Sequence, residues 1–427
     1  MKFETPKNVN YAAVVVRVPE PLRVLGLDNL VAIPMFGYQV LTQKEGIKAG
    51  DLRVLFVAET QLSEEYARLN NLHREPTLND DAGAEAGYLE ANRRVKAIRL
   101  RKNNSSALLM PLESLAYTGI DVSQLEVGDT FDTLNGHEIC RKYEVPGKRA
   151  QGAPGQPKIR QRVDQKLFPM HLDTEHLFRN WHVFREPKRV VVTQKLHGTS
   201  IRIGRVPAAR DKGWLERVVV NKWLRIATPD TAFEDVAGSR RVVKGRSENN
   251  NYYDSDIWAD YAKRLEGLIP ENFIVYGELI GWESEEKPIQ KGYTYNLLPG
   301  DRELYVYRVA TVNGQGVIAD LSWEGVEQFC AAIGVKTVPV IHMLDEFAEA
   351  EDEPMLTRAY VDAYLDRNLA DKYPAALPLS DPLSVDEGIC VRVEGQVPRI
   401  FKAKSPIFFE HETKMLDKGE EDLEAAA

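Results

Sequence analysis

The chain has 427 residues, 43% of them apolar and 28% charged, with a net charge of −9. That is the composition of an ordinary globular protein, too long for one core, so two domains are expected, and the charge argues against a generic nucleic-acid coat protein while leaving room for a local polyanion site. No apolar run reaches the length of a membrane span, the N-terminus lacks a signal-peptide layout, and the three cysteines have no paired spacing for zinc or redox work, which together predict a cytoplasmic setting, a host's if the source is viral.

In chain order, residues 1–145 are dominated by short β-type runs: "YAAVVVRV", "LVAIPMFGYQVL", "LRVLFVAE", "RRVKAIRL" and "HEICRKY", separated by polar loops. Strands without regular intervening helices favour a small OB-like barrel over a doubly wound sheet. Residues 141–166 then hold eight Lys or Arg against Glu144 and Asp164, with much Gly, Pro and Gln and no apolar periodicity. They predict a basic linker, placed at 146–166, with room to track polyanion phosphates.

Beyond the linker, over 167–412, strands and helices mix. The strand candidates are "RVVVTQ", "SIRIGRV", "ERVVVNKW", "FIVYGELIGW", "ELYVYRVATV", "GICVRVE" and "RIFKAK". "SDIWADYAKRLEGL" sets Trp258, Tyr261, Ala262, Leu265 and Leu268 on one helical face, capped by Ser255 or Asp256. "SWEGVEQFCAAIG" does the same with Val326, Phe329, Cys330 and Ile333, so Cys330 is read as core. Many strands and few helices give α+β with antiparallel sheets. Residues 413–427 read as an acidic tail.

"VVVTQKLHGTSIRIGRV" interrupts two apolar strands with Lys195, His197 and Gly198. Alone, Lys195 reads as a solvated hairpin lysine. Its company changes that: Glu278 follows Gly277 in a buried strand run, Glu387 stands beside Gly388 at the start of another, and Lys402 and Lys404, two apart, share one strand face. Like charges side by side on one face are unfavourable unless an anion sits between them. Three lysines and two strand-borne glutamates predict one site for a polyphosphate and a divalent cation. A lysine amine attacks phosphorus only when neutral, which requires its pKa to fall from about 10.4, and nearby cations achieve that while neutralising the phosphates.

The ordered set "KLHGTS", "VYGELIG", "LYVYRV", "DEGICVRVE" and "FKAKS", spanning roughly residues 165 to 410, resembles the motifs of the covalent ligase and capping-enzyme nucleotidyltransferases. Within that superfamily it is most similar to RNA ligases of the RNA ligase 2 type, which carry His where DNA ligases usually carry Asp, as His197 stands here. The resemblance implies an ATP-grasp-like transferase domain built on antiparallel sheets. DNA ligases and capping enzymes place an OB domain after the last lysine motif, where here 23 residues follow Lys404. The barrel-like region precedes the motifs, as in the RNA ligase 5 group.

Carried over residue by residue, the resemblance makes Lys195 the lysine that forms the AMP adduct. It implies that Glu278 contacts the ribose and helps hold the metal, that Tyr307 stacks on adenine, and that Glu387 is the metal-site carboxylate. Lys402 and Lys404 would contact the α-phosphate, Gln194 would read the adenine edge, and Arg202 would face ATP. Arg246 would touch phosphate or the RNA end, and "HLDTEHLFRN" would close over the nucleotide. The cofactors implied are ATP and Mg²⁺ or Mn²⁺; the partners are RNA ends bearing 5′-phosphate and 3′-hydroxyl, with no membrane. The alternatives are a DNA ligase or capping-type guanylyltransferase, and a non-catalytic RNA-binding protein of the same fold.

Overall fold

The structure is a computed structural model. It describes residues 3–35, 37–84, 87–145, 163–172, 174–180, 183, 189–210, 212–240, 243, 256–344, 377–379 and 384–419. Most of the basic linker and Arg246 lie outside the described residues. The chain forms two compact units, one of Met1–Arg149, Glu175–Trp181 and Ala403–Glu421, the other of Ala150–Thr174, His182–Lys402 and Asp422–Ala427.

In the first unit an antiparallel sheet orders Thr130–Phe131, Ala13–Arg17, Leu52–Val57 and Ala107–Pro111. Both its faces are buried. Ala13, Val15, Val54 and Phe56 join one core, and Val14, Val16, Leu55 and Val57 join another, the alternation a pleated strand imposes. A second sheet orders Leu22–Arg23, Leu30–Met35 and Tyr38–Gln43, and two-stranded pairs are formed by Thr60–Leu62 with Cys140–Lys142, Ile98–Leu100 with Asn103–Ser105, and Thr133–Leu134 with His137–Glu138. Among the described residues no sheet closes into a barrel. "RRVKAIRL" contributes only Ile98–Leu100 as a strand, because Arg94 turns inward to pair with Glu59 at 3.0 Å. The helix Pro406–Asp417, capped by Ser405 with proline in its first turn, also belongs here and places Phe409 in the second core. Residues 413–417, read from composition as the start of a tail, are part of that helix.

The second unit contains two antiparallel sheets. One orders Thr231–Gly238, Thr199–Ala209, Phe273–Gly281, Arg302–Val312 and Ile318–Asp320, with Lys336–Thr337 added in parallel on Arg302–Val312. In the other, Arg399–Lys404, Gly388–Val393, Val190–Lys195 and Val340–Leu344 lie side by side. Helix Ile257–Arg264 is capped by Asp256, and helix Trp323–Ile333 by Ser322. Both bury their apolar faces in the main core, with Cys330 inside as expected. Leu268 departs from its expected face: the helix stops before it and leaves it exposed.

"ERVVVNKW" is not a strand. Its valine run favours β structure, but it lies in the connection between Thr199–Ala209 and Thr231–Gly238, which pair directly with each other. Glu216–Trp223 instead winds into a wide helix with bonds such as Leu224 N–H to Val219 O at 2.8 Å. Among the described residues no helix is long and apolar enough to cross a membrane.

Candidate active site

The chain leaves one sheet at Lys195 and enters the other at Thr199, so Leu196, His197 and Gly198 form a short covalent step between strands of two different sheets. Strand register does the rest. Val190–Lys195 runs antiparallel to Gly388–Val393 with Lys195 opposite Gly388, which sets Glu387 beside the lysine. Gly388 has φ +142°, a conformation other residues avoid. Lys195 Nζ lies 2.8 Å from Glu387 Oε1, and His197 Nδ1 lies 3.4 Å from Oε2. Glu387 is 2% exposed and Lys195 9%.

On the other sheet Ser200 stands opposite Glu278. Gly198 N–H donates to Glu278 Oε1 at 3.1 Å, and Ser200 Oγ donates to Oε2 at 3.3 Å. The turn therefore grips one carboxylate while the strand end before it pairs with the other. Three further bonds fix it. His197 N–H donates to the Tyr295 hydroxyl at 2.6 Å, Gln290 Nε2 donates to Gly198 O at 2.8 Å, and Trp258 Nε1 donates to Ser200 O at 3.1 Å. Burial pushes the Tyr295 phenol well above its ordinary pKa, so it stays neutral and accepts from His197. Tyr295 itself sits at φ +52°, a costly conformation for a bulky side chain that this bond helps hold.

A cavity opens at this junction. Gln194, Lys195, Ser200, Glu278 and Tyr307 line it. Tyr307 reaches it through a β-bulge: the register passes from Gly277 opposite Val306 to Tyr276 opposite Arg308, so Tyr307 is the extra residue and its ring is re-aimed. Its hydroxyl bonds to His171 Nδ1, and His171 also lines the cavity. Gln194 is buried, and its Oε1 accepts from Leu379 N–H at 3.0 Å.

Arg202, Lys402 and Lys404 are not part of the cavity wall. Arg202 is 1% exposed and places its guanidinium 4.8 Å over the Phe168 ring; burial lowers its pKa to about 10, still cationic at neutral pH. Lys402 shares its strand face with Ile400, which does line the cavity. Lys404 belongs to the first unit, where its Nζ pairs with Glu412 Oε1 at 2.8 Å. Arg246 lies outside the described residues.

Sequence reasoning gave no place to Arg240, Trp323 or Val338, which complete the wall. Arg392 lies in the strand Gly388–Val393 that follows Glu387. It lines the cavity and bonds to Glu394 Oε1 at 2.7 Å and to Leu321 O at 2.5 Å, while its buried Nη1 has no hydrogen-bond partner among the described residues. Strand alternation was the available signal for it: Cys390 and Arg392, two apart, share a face, and both line the cavity. Among the described residues no group of three or more His, Cys, Asp or Glu forms a metal cluster.

The profile of the RNA ligase family matches residues 188–404, half of the chain and all of this junction. The chain belongs to the RNA ligase family. No curated protein sequence matches it. Solved structures of a Naegleria gruberi RNA ligase share the fold of this ligase. A lysine-to-alanine variant without ligand is 16% identical, covering 93% of this chain and 98% of that one with a TM-score of 0.59. An arginine-to-alanine variant with ATP and manganese is 17% identical over 93% and 98%, with a TM-score of 0.58. The form with pyrophosphate is 17% identical over 94% and 98%, with a TM-score of 0.56.

Proposed function

We propose that this RNA ligase is ATP-dependent and joins 3′-hydroxyl to 5′-phosphate RNA ends, with Lys195 as its nucleophile. The observation that carries the reading is the Lys195 amine on the wall of a cavity, 2.8 Å from a buried carboxylate. The Naegleria structures with ATP and manganese and with pyrophosphate support it, as does the family.

In the first step the Lys195 amine attacks the α-phosphorus of ATP; the N–P bond forms as the P–O bond to pyrophosphate breaks. The Nζ proton must leave, and Glu387 Oε1 is the acceptor at hand. In the second, an oxygen of the RNA 5′-phosphate attacks the adenylyl phosphorus as the N–P bond breaks, and Lys195 departs as the amine, taking back the proton from Glu387 and leaving RNA-adenylate. In the third, the RNA 3′-hydroxyl attacks the 5′-phosphorus, its proton passes to solvent, and AMP leaves as the anhydride P–O bond breaks. Tyr307 stacks on the base, and Gln194 addresses its edge through its amide nitrogen. Glu278 contacts the ribose. Lys402, Lys404, Arg202 and Arg246 meet phosphates or the RNA end. The hard carboxylate oxygens of Glu278 and Glu387 would hold Mg²⁺ or Mn²⁺. Bound there, the ion would neutralise charge on the phosphates.

In this reading residues 167–412 form the adenylation domain. Residues 1–145 form an OB-like domain of short antiparallel strands in a partly open arrangement, supported by the two-sided sheet and its paired cores.

The test is incubation with α-labelled ATP and Mg²⁺. Label should attach to the wild type through an acid-labile bond and be absent from Lys195→Ala. Equal labelling of Lys195→Ala sinks the assignment, and labelling by GTP rather than ATP would make this a capping-type transferase.

A further inference from the structure

The segment between the two strands of the Thr199–Ala209 and Thr231–Gly238 hairpin has no part in the adenylation site. It exposes more large apolar surface than any stretch of similar length among the described residues: Trp214 is 67% exposed and Trp223 79%, with Leu215, Leu224 and Ile226 also exposed. Such a patch marks an interaction surface. Basic side chains are interleaved with it. Arg217, Lys222 and Arg225 are exposed and have no ion-pair partner among the described residues. The acids nearby are already engaged, Glu216 by Arg210 and Asp230 by Lys212 at 2.7 Å. In a chain of net charge −9 this leaves a local excess of unpaired cations around two flat aromatic rings.

We propose that this segment binds an unpaired stretch of RNA flanking the ends to be joined, with Trp214 and Trp223 as stacking platforms and Arg217, Lys222 and Arg225 on phosphates. The inference rests on the RNA-joining reading given above. One observation favours RNA over a protein partner. The acids beside these cations already pair with Arg210 and Lys212, so Arg217, Lys222 and Arg225 are left to meet a polyanion. Aromatic rings beside basic groups bind single strands without sequence preference, because every base presents a π face.

Geometry adds a length requirement. Ser200, at the cavity, and Ala209, next to the segment, lie at opposite ends of the same strand, roughly 30 Å apart at the usual strand rise. At about 3.4 Å per stacked nucleotide, an RNA end in the cavity reaches the segment only when flanked by about nine nucleotides.

The test measures binding of fluorescein-labelled single-stranded RNAs of about six and about twenty nucleotides, across a salt series. For the longer RNA, Trp214→Ala and Trp223→Ala should each raise Kd at least about fivefold. Arg217→Ala and Arg225→Ala should each lower the salt slope by about 0.7. Trp214→Phe and Trp223→Phe should retain most of the affinity. The shorter RNA should bind all variants alike, and transfer of label from ATP to protein should be unchanged in each, which also shows that each is folded. Unchanged affinity for the longer RNA overturns the proposal. So does an alanine variant that loses only a dimer in sedimentation, or only binding to anionic vesicles, because the patch then serves a protein or a bilayer. Absence of label transfer in the wild type would count against the adenylation reading and leave the RNA titrations to be judged on their own.

Discussion

Gly198 has no room for a side chain: a Cβ there would stand 2.3 Å from Leu279 O. That closeness is what lets its N–H reach Glu278, so the glycine is a condition of the site's geometry. Gly198→Ala should push the turn away from Glu278 and slow transfer of label from ATP by about a hundredfold, since displacements near 1 Å cost that much, while circular dichroism stays close to wild type. An alanine variant that labels at the wild-type rate would show that the contact does not matter. Residue type and spacing made Lys195, Glu278, Glu387 and Tyr307 legible in the sequence, because charged groups next to glycines in apolar runs are conspicuous. Arg240 carried no such mark; it reaches the cavity only through the path of a hairpin that ends beside it.

At the scale of elements, the helix Pro406–Asp417 shows how a segment is tied into the first unit. Thr413 Oγ1 donates to Glu59 Oε1 at 2.5 Å, and Arg94 bonds to Glu59 and to Asp417. Burial nevertheless outweighs Arg94 and pushes the Glu59 carboxyl up to about 7. A carboxyl whose folded pKa is raised binds more protons in the folded state. Its stabilising effect is therefore complete below the unfolded value near 4.5 and fades as pH rises through about 7. Glu59→Gln should flatten the fall in Tm that the wild type shows between about pH 5 and 8, measured as thermal unfolding of both proteins across that range. Parallel pH profiles would show that Glu59 is not responsible. The helix's start was readable from Ser405 and Pro406; the surface it would cover was not, because an amphipathic face specifies burial without naming a partner.

At the scale of the whole molecule, the first unit is assembled from both ends of the chain. Glu59 and Thr413 are 354 residues apart, and Phe409 is a member of a core otherwise drawn from residues before 110. Phe409→Ala should therefore destabilise this N-terminal core by about 3–5 kcal/mol, as the loss of a buried ring does. Urea unfolding followed by proteolytic cleavage within residues 3–145 reads this out, and wild-type protection of that region would refute it. Assembly from distant segments also means that this unit cannot be completed until the helix Pro406–Asp417 has been synthesised, a high-contact-order arrangement.

By itself the sequence determined the chemistry and its order: which side chains could act on a polyphosphate, and the strand and helix periods that carry most of them. These follow from residue type and from neighbours a few positions away. Tertiary structure decided which of them meet. It set Lys195 against Glu387 through strand register, turned Tyr307 inward through a bulge, made "ERVVVNKW" a helix in the connection of a hairpin, and gave the last helix to the first unit. Those outcomes depend on which faces bury one another, and burial is a property of the assembled chain.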